Sequence, residues 1–277
     1  MSGRTMVRDT KTSPVTQGGQ AVDDQRPFVR LGVHPRSVDA LASIGIETPT
    51  PIQERAIPPL LAGRDVIGQS RTGSGKTMAF GLPLVERIDP RVRAVQALVI
   101  VPTRELAAQV ADAIAALDSG RGLRVAQLIG GRSLVPQADA LRRGAQIAVG
   151  APGRIIDHLR RGNLRLDDLR VCVLDEADQM LDAGFAPDVE RIIAATPKGL
   201  QMALFTATLP DWALKIAGQY LKDPVRVDAG STDGKPAPAI EQTVYLVPEG
   251  QRLAALCALL DQRKDASGTT LVFGRTK

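Results

Sequence analysis

The feature that most restricts the fold of this chain is an alternation. Short apolar runs, "DVIGQ" (65–69), "ALVIV" (97–101), "RVAQLI" (124–129), "QIAVG" (146–150), "VCVLD" (171–175) and "MALFTA" (202–207), are separated by segments with helical spacing. Those segments are "GKTMAFGLPLVERI", "TRELAAQVADAIAAL", "VPQADALRR", "GRIIDHLRR" and "PDVERIIAAT". Strands joined through helices lie parallel, because each crossover carries the chain back to the edge it started from. The pattern therefore predicts an α/β fold in which a parallel β-sheet carries helices on both faces. All strand C-termini then meet at one edge, and the loops there are where ligands bind.

One of those loops is specific. "SRTGSGKT" (70–77) follows a strand and opens a helix, the context required of a phosphate-binding loop. Its small residues let backbone N–H groups converge on phosphate oxygens, and the helix N-terminus adds a favourable dipole. Arg71, Thr72, Gly73, Ser74, Gly75, Lys76 and Thr77 are the candidate cradle, with Lys76 reaching the β- and γ-phosphates and Thr77 holding Mg²⁺. Ser70 stands where the strict pattern has glycine, a mild departure because serine is also small. Further on, "VLDEAD" (173–178) ends a strand in carboxylates. Asp175 is placed to orient Mg²⁺ through water and Glu176 to polarise an attacking water.

With these two motifs in order, the sequence resembles a DEAD-box ATP-dependent RNA helicase of superfamily 2, from Phe28 to Lys277. "TPTPIQ" (48–53) is similar to that family's Q motif. The resemblance implies that Gln53 hydrogen-bonds the adenine edge and that Phe28, 25 residues earlier, stacks on the ring. An amide side chain suits adenine because it can donate and accept at once. "PTREL" (102–106), Gly130–Gly131 and "APGR" (151–154) look like the family's RNA-facing motifs. Pro102, Thr103, Arg104, Gly130, Gly131, Pro152, Gly153 and Arg154 are then the expected grip on the RNA sugar–phosphate backbone, which positions a strand without reading its sequence. Ala151 stands where the family usually has threonine, so one phosphate-directed hydroxyl is missing. "TAT" (206–208) resembles the family's SAT motif. Thr206 and Thr208 are expected near the catalytic carboxylates, with Asp178 the partner that couples hydrolysis to unwinding.

The resemblance also implies an organisation. Residues 1–26 are polar and aperiodic, the mark of a disordered tail. Residues 27–228 correspond to a RecA-like P-loop NTPase domain, and 229–239, with "GSTDGKPAPA" inside, to a linker. Residues 240–277 correspond to the start of a second RecA-like domain, with strands in "IEQTVYLV" and "TLVF" around the helix "QRLAALCALLDQR". "LVFGRTK" resembles motif IV, and the family's later motifs, which carry arginine fingers, do not occur in these 277 residues. The expected activity is therefore weak binding of ATP and Mg²⁺ with little hydrolysis by this chain alone. The alternatives are a nucleotide- or RNA-binding module without helicase activity, and a DNA-directed enzyme on the same fold.

Composition agrees with this and adds limits. Thirty-five Lys and Arg against 30 Asp and Glu give a net charge of +5, which favours polyanionic partners. No apolar run is long enough to cross a bilayer, and Cys172 and Cys257 lie far apart, so a reducing cytoplasm is the expected setting. His34 and His158 have no metal-ligand partner at helical spacing and are assigned structural roles, as is Trp212.

Overall fold

A computed structural model describes residues 25–230, 243–262 and 268–274. The chain divides into two compact units, Met1–Thr232 and Asp233–Lys277. The expected N-terminal tail, apart from its last two residues, and most of the expected linker lie outside the described residues.

The first unit opens with three helices, α1 (Pro27–Arg30), α2 (Pro35–Ser43) and α3 (Pro51–Leu61), each starting on a proline. Proline is favoured at that position because its missing N–H would have had no intrahelical partner. His34 caps α2, its Nδ1 accepting from the Arg36 N–H at 3.2 Å. The alternation follows: β1 (Val66–Gln69), α4 (Lys76–Arg87), β2 (Ala97–Ile100), α5 (Arg104–Ala116), β3 (Val125–Leu128), α6 (Leu134–Arg142), β4 (Ile147–Gly150), α7 (Pro152–Arg160) and β5 (Val171–Asp175). It ends with α8 (Ala177–Asp182), α9 (Ala186–Ala194), β6 (Gln201–Thr206), α10 (Asp211–Tyr220) and β7 (Val225–Asp228).

The seven strands form one sheet in the order β3-β4-β2-β5-β6-β1-β7, and every pairing is parallel. Successive strand residues point to opposite faces, so the sheet divides the apolar interior into two cores. Val66, Val99, Val149, Val173, Ala203 and Phe205 face α1 to α5. Ile67, Leu98, Ala148, Cys172, Leu174 and Leu204 face α6 to α10. Both faces are covered, as the alternation predicts. Trp212 packs against the second core, and its Nε1–H donates to Glu190 Oε1 at 3.1 Å, so it is an anchor for α10.

Strand β7 is not among the strands the sequence pattern predicts. "VRVD" carries only two apolar residues, because an edge strand buries less than an interior one. Its pairing is firm: Val225 N–H donates to the Asp65 carbonyl and Ala229 N–H to the Gln69 carbonyl, both at 2.8 Å.

In the second unit the expected helix forms as α11 (Arg252–Asp261). The two strands expected around it do not: residues 243–248 and 268–274 carry no ladder, while 240–242 lie outside the described residues. A strand is completed by a neighbour's N–H and C=O groups, and no described segment supplies them to either run. Their apolar side chains, Val244, Leu246, Leu271, Val272 and Phe273, are exposed.

Candidate functional site

Because all seven strands are parallel, the loops that follow them share one edge. Their order along that edge could not be read from the sequence. Strands β3, β4 and β2 are neighbours and lead into Gly130–Gly131, "APGR" and "PTREL"; β5, β6 and β1 are neighbours and lead into "DEAD", "TAT" and the phosphate loop. The edge thus has two halves, joined where β2 pairs with β5.

The phosphate loop is held by its own side chains. Gly73 and Gly75 have φ of +80° and +93°, a left-handed backbone that glycine adopts without steric cost. Ser70 is buried, its hydroxyl 2.8 Å from that of Ser74, so the serine that departs from the strict pattern ties the loop across its width. Lys76 is 6% exposed and donates from Nζ to the Ser70 carbonyl at 3.0 Å. Thr77 is half-buried one residue into α4, and Arg71, Thr72 and Gly73 form the exposed crest.

Gln53 is 3% exposed, and both ends of its amide are engaged. Oε1 accepts from the Thr50 N–H at 2.9 Å, and Nε2 donates to the Gly75 carbonyl at 3.1 Å. A Cβ on Gly75 would lie 2.5 Å from that Nε2. In this conformation Gln53 fastens the start of α3 to the phosphate loop rather than presenting its amide to an adenine. Thr50 Oγ1, beside Gly75, is the only buried side-chain polar atom among the described residues without a hydrogen-bond partner. Phe28 is fully buried in the first core. The adenine platform expected of it is therefore not formed here, because a ring packed on all sides offers no face to a ligand.

At the end of β5, Asp175 is 2% exposed and Glu176 8%. Burial pushes the Asp175 carboxyl up to about 7 against the pull of Lys76, and the neighbouring Glu176 adds to the rise. Glu176 has φ +56° and ψ +52°, a left-handed conformation that is strained in a residue with a Cβ. Asp178 Oδ2 accepts from the Thr208 N–H at 2.9 Å and the Thr208 hydroxyl at 3.0 Å. Partial burial alone would raise the Asp178 carboxyl. Donors on Thr208, Thr206 and Gln179 outweigh it and hold the group below the usual carboxylate range. Of the two threonines expected near Asp178, Thr206 sends its hydroxyl chiefly to the Thr208 carbonyl, and Thr208 makes the principal contact.

On the other half of the edge the three expected motifs brace one another. Thr103 caps α5, its Oγ1 accepting from the Leu106 N–H at 3.1 Å. The exposed Arg104 guanidinium lies over Gly131, where a Cβ would come 2.4 Å from Nη1 and where φ is +73°. Arg154 is only 12% exposed and donates to the Arg132 carbonyl at 2.9 Å, so it supports the glycine loop from below. Pro102 and Pro152 are buried and Gly130 is half-buried, whereas Gly153 is exposed. The motif reading missed Gln137. Its buried amide bonds both the N–H and the carbonyl of Ile129, each at 3.1 Å, and the Ser133 carbonyl at 3.0 Å, clamping the loop that bears the glycines. The available signal was a glutamine on the apolar face of a short helix.

Comparison with known proteins bears on the whole arrangement. The family model described as DEAD/DEAH box helicase matches residues 50–216. The chain is 44% identical over 256 residues to the ATP-dependent RNA helicase DeaD of Haemophilus influenzae, covering 92% of this chain and 41% of that protein. It is 46% identical over 254 residues to DeaD of Escherichia coli K12, covering 90% and 39%. The chain thus spans about 40% of the length of these curated relatives. A crystal structure of a DEAD box protein from the hyperthermophile Methanococcus jannaschii superposes with a TM-score of 0.72 at 40% identity, covering 86% of this chain and 64% of that one. A RecA-like parallel sheet, a phosphate loop and a carboxylate-tipped strand in this order, matched by relatives at this identity, leave one assignment: the chain belongs to the DEAD/DEAH box helicase family.

Proposed function

We propose that residues 27–228 are the nucleotide-binding domain of an ATP-dependent RNA helicase, that 229–239 are a linker, and that 240–277 begin a second RecA-like domain. The observation that carries this reading is the meeting of Lys76 and Asp175 at the half of the edge formed by β5, β6 and β1. Both are buried, Lys76 spends its Nζ on the Ser70 carbonyl, and its charge pulls the Asp175 carboxyl down against the burial that raises it.

ATP would place its β- and γ-phosphates over the loop, and Lys76 would leave the Ser70 carbonyl for them. The oxygen donors suit Mg²⁺, with Thr77 and Asp175 as the holding residues. Among the described residues no cluster of three or more His, Cys, Asp or Glu could cage a metal, which accords with an ion shared with phosphates. The raised Asp175 carboxyl marks a place where positive charge would be welcome. When bound, the ion neutralises phosphate charge. Glu176 would orient the attacking water, and the Asp178–Thr208 contact would report phosphate state to β6. Phosphoryl transfer depends mainly on such positioning. The RNA backbone would cross the other half of the edge, over Arg104, Gly131 and Gly153. No described helix is long and apolar enough to cross a membrane, and we place the protein in the cytoplasm.

The test is calorimetric titration of the 277-residue chain with Mg·ADP. Saturable binding that weakens at least tenfold in Lys76→Ala, with circular dichroism unchanged, is the expected result. Heat that is absent in well-folded protein, or indifferent to Lys76, would overturn the reading.

A further inference from the structure

A cleft of about 1070 Å³ lies at the opposite edge of the sheet, where strands begin rather than end. It is bounded by residues just before β1, β5, β6 and β7 and by the ends of α4, α9 and α10. Five cations from five separate segments line it: Arg64, Arg87, Arg170, Lys198 and Lys222. All five are exposed. Only two acids join them, and both are engaged. Asp65 is buried and accepts from the Met202 N–H at 2.8 Å and the Lys222 N–H at 2.6 Å. Asp223 pairs with Arg64 at 3.1 Å. The side chains of Arg87, Arg170, Lys198 and Lys222 make no hydrogen bond or ion pair among the described residues.

Like charges gathered around a concavity repel one another; the C-terminal ends of α4, α9 and α10 offset part of that cost, and an entering anion would offset more. We propose that this cleft binds the sugar–phosphate backbone of an RNA strand, as a second contact remote from the edge that carries the family's motifs. Three features favour a polynucleotide over a smaller anion. The volume is at or above the upper end of small-ligand pockets. The cations are spread over five segments rather than converging on one point. Tyr220 is the only aromatic lining residue, so backbone rather than bases would be recognised. The inference stands independently of the nucleotide site.

The test compares wild-type chain with the quadruple variant Arg87→Gln, Arg170→Gln, Lys198→Gln, Lys222→Gln, using a fluorescein-labelled single-stranded 40-mer of uridine and, separately, polyglutamate. None of the four side chains holds the fold together, so the melting temperature should hold or rise as the mutual repulsion is relieved, and Mg·ADP affinity should be unchanged. Should the quadruple variant misfold, Lys198→Glu alone replaces it. RNA affinity at about 100 mM salt should fall roughly tenfold, and the slope of log K against log salt should become shallower by about 1.5–3, at about 0.7 per lost phosphate contact. The same factor should appear in an Arg104→Gln background, which separates the cleft from the other edge. Unchanged RNA affinity overturns the proposal. So does unchanged RNA affinity with loss of polyglutamate binding, which would assign the cleft to an acidic protein segment.

Discussion

On the proposed role, Glu176 concentrates the conflict between stability and chemistry in one residue. Its carboxylate is wanted at the end of β5, yet the turn into α8 puts its backbone at φ +56°, where a Cβ crowds the carbonyl. The left-handed conformation costs an L-residue about 1–2 kcal/mol. Glu176→Gly should relieve that strain and Glu176→Ala should not, so the glycine variant should be the more stable of the two by about 1 kcal/mol, or roughly 2–4 °C in melting temperature. Both should lose any hydrolysis. Coincident melting curves for the two variants would show that the turn carries no strain. The placement of these residues was legible: the sequence pattern put Lys76, Thr77, Asp175 and Glu176 at one edge, and they lie there. What it could not show was which polar groups are already engaged. Gln53 and Arg154 have the right side chains for adenine and phosphate, but packing turns the first to Gly75 and the second to Arg132. Pairings between residues 22 apart in sequence have no local signature.

At the scale of elements, α5 and α7 begin at neighbouring strand ends but are finished differently. Thr103 caps α5 with its hydroxyl, whereas Ala151 gives α7 no side-chain cap. The backbone at Ala151, φ −86° and ψ 148°, is already that of a capping residue. Ala151→Thr should therefore stabilise the chain by about 0.5–1 kcal/mol and raise the melting temperature by a few degrees; an unchanged or lowered melting temperature would show that the N–H groups of α7 are better served by water. The same helix buries His158 completely, with Nε2 3.3 Å from Gln137 Oε1 and Nδ1 3.4 Å from Asn163 Nδ2. The Gln137 oxygen calls for Nε2–H, which leaves Nδ1 to accept from Asn163; a second proton would set donor against donor. Burial, with help from Arg154, lowers the His158 pKa below its ordinary 6.5. The unfolded chain then binds the proton more readily than the folded one, so stability is full above about pH 6.5 and falls as pH drops below it. Over pH 7.5 to 5.5 the wild-type melting temperature should fall more than that of His158→Gln. Parallel profiles would mean that the ring is not held neutral. The sequence pattern assigned His158 a structural role because it lacked ligand partners; the amides that make the role necessary lie on other elements.

For the molecule as a whole, periodicity predicted a parallel sheet with two covered faces but not the strand order, because order depends on which crossover packs over which strand. That order creates the two-part edge, and it closes the sheet with β7, the strand whose sequence signal was weakest. The first unit contains all seven strands and both cores. In the second, α11 has no buried residue, and Leu253, Leu271 and Phe273 are exposed. A chain ending at Gly230 should therefore unfold in one cooperative transition, within a few degrees of the 277-residue protein, and bind Mg·ADP with the same affinity. A chain ending at Leu221 should behave differently. It lacks Val227, which is 5% exposed in the first core, and it strips β1 of the hydrogen bonds from Val225 and Ala229. Strand β1 leads into the phosphate loop, so its unpaired edge would loosen the residues proposed to hold nucleotide as well as expose a template for aggregation. Losing one buried valine, the β1–β7 pairing and the Lys222 N–H bond to buried Asp65 should cost at least about 3–5 kcal/mol, a large share of the 5–15 kcal/mol that stabilises a typical domain. Differential scanning calorimetry and nucleotide titration on the two truncations decide it. If the Leu221 form melts and binds like the Gly230 form, β7 is an ornament of the edge rather than the strand that holds the nucleotide half of the sheet in place.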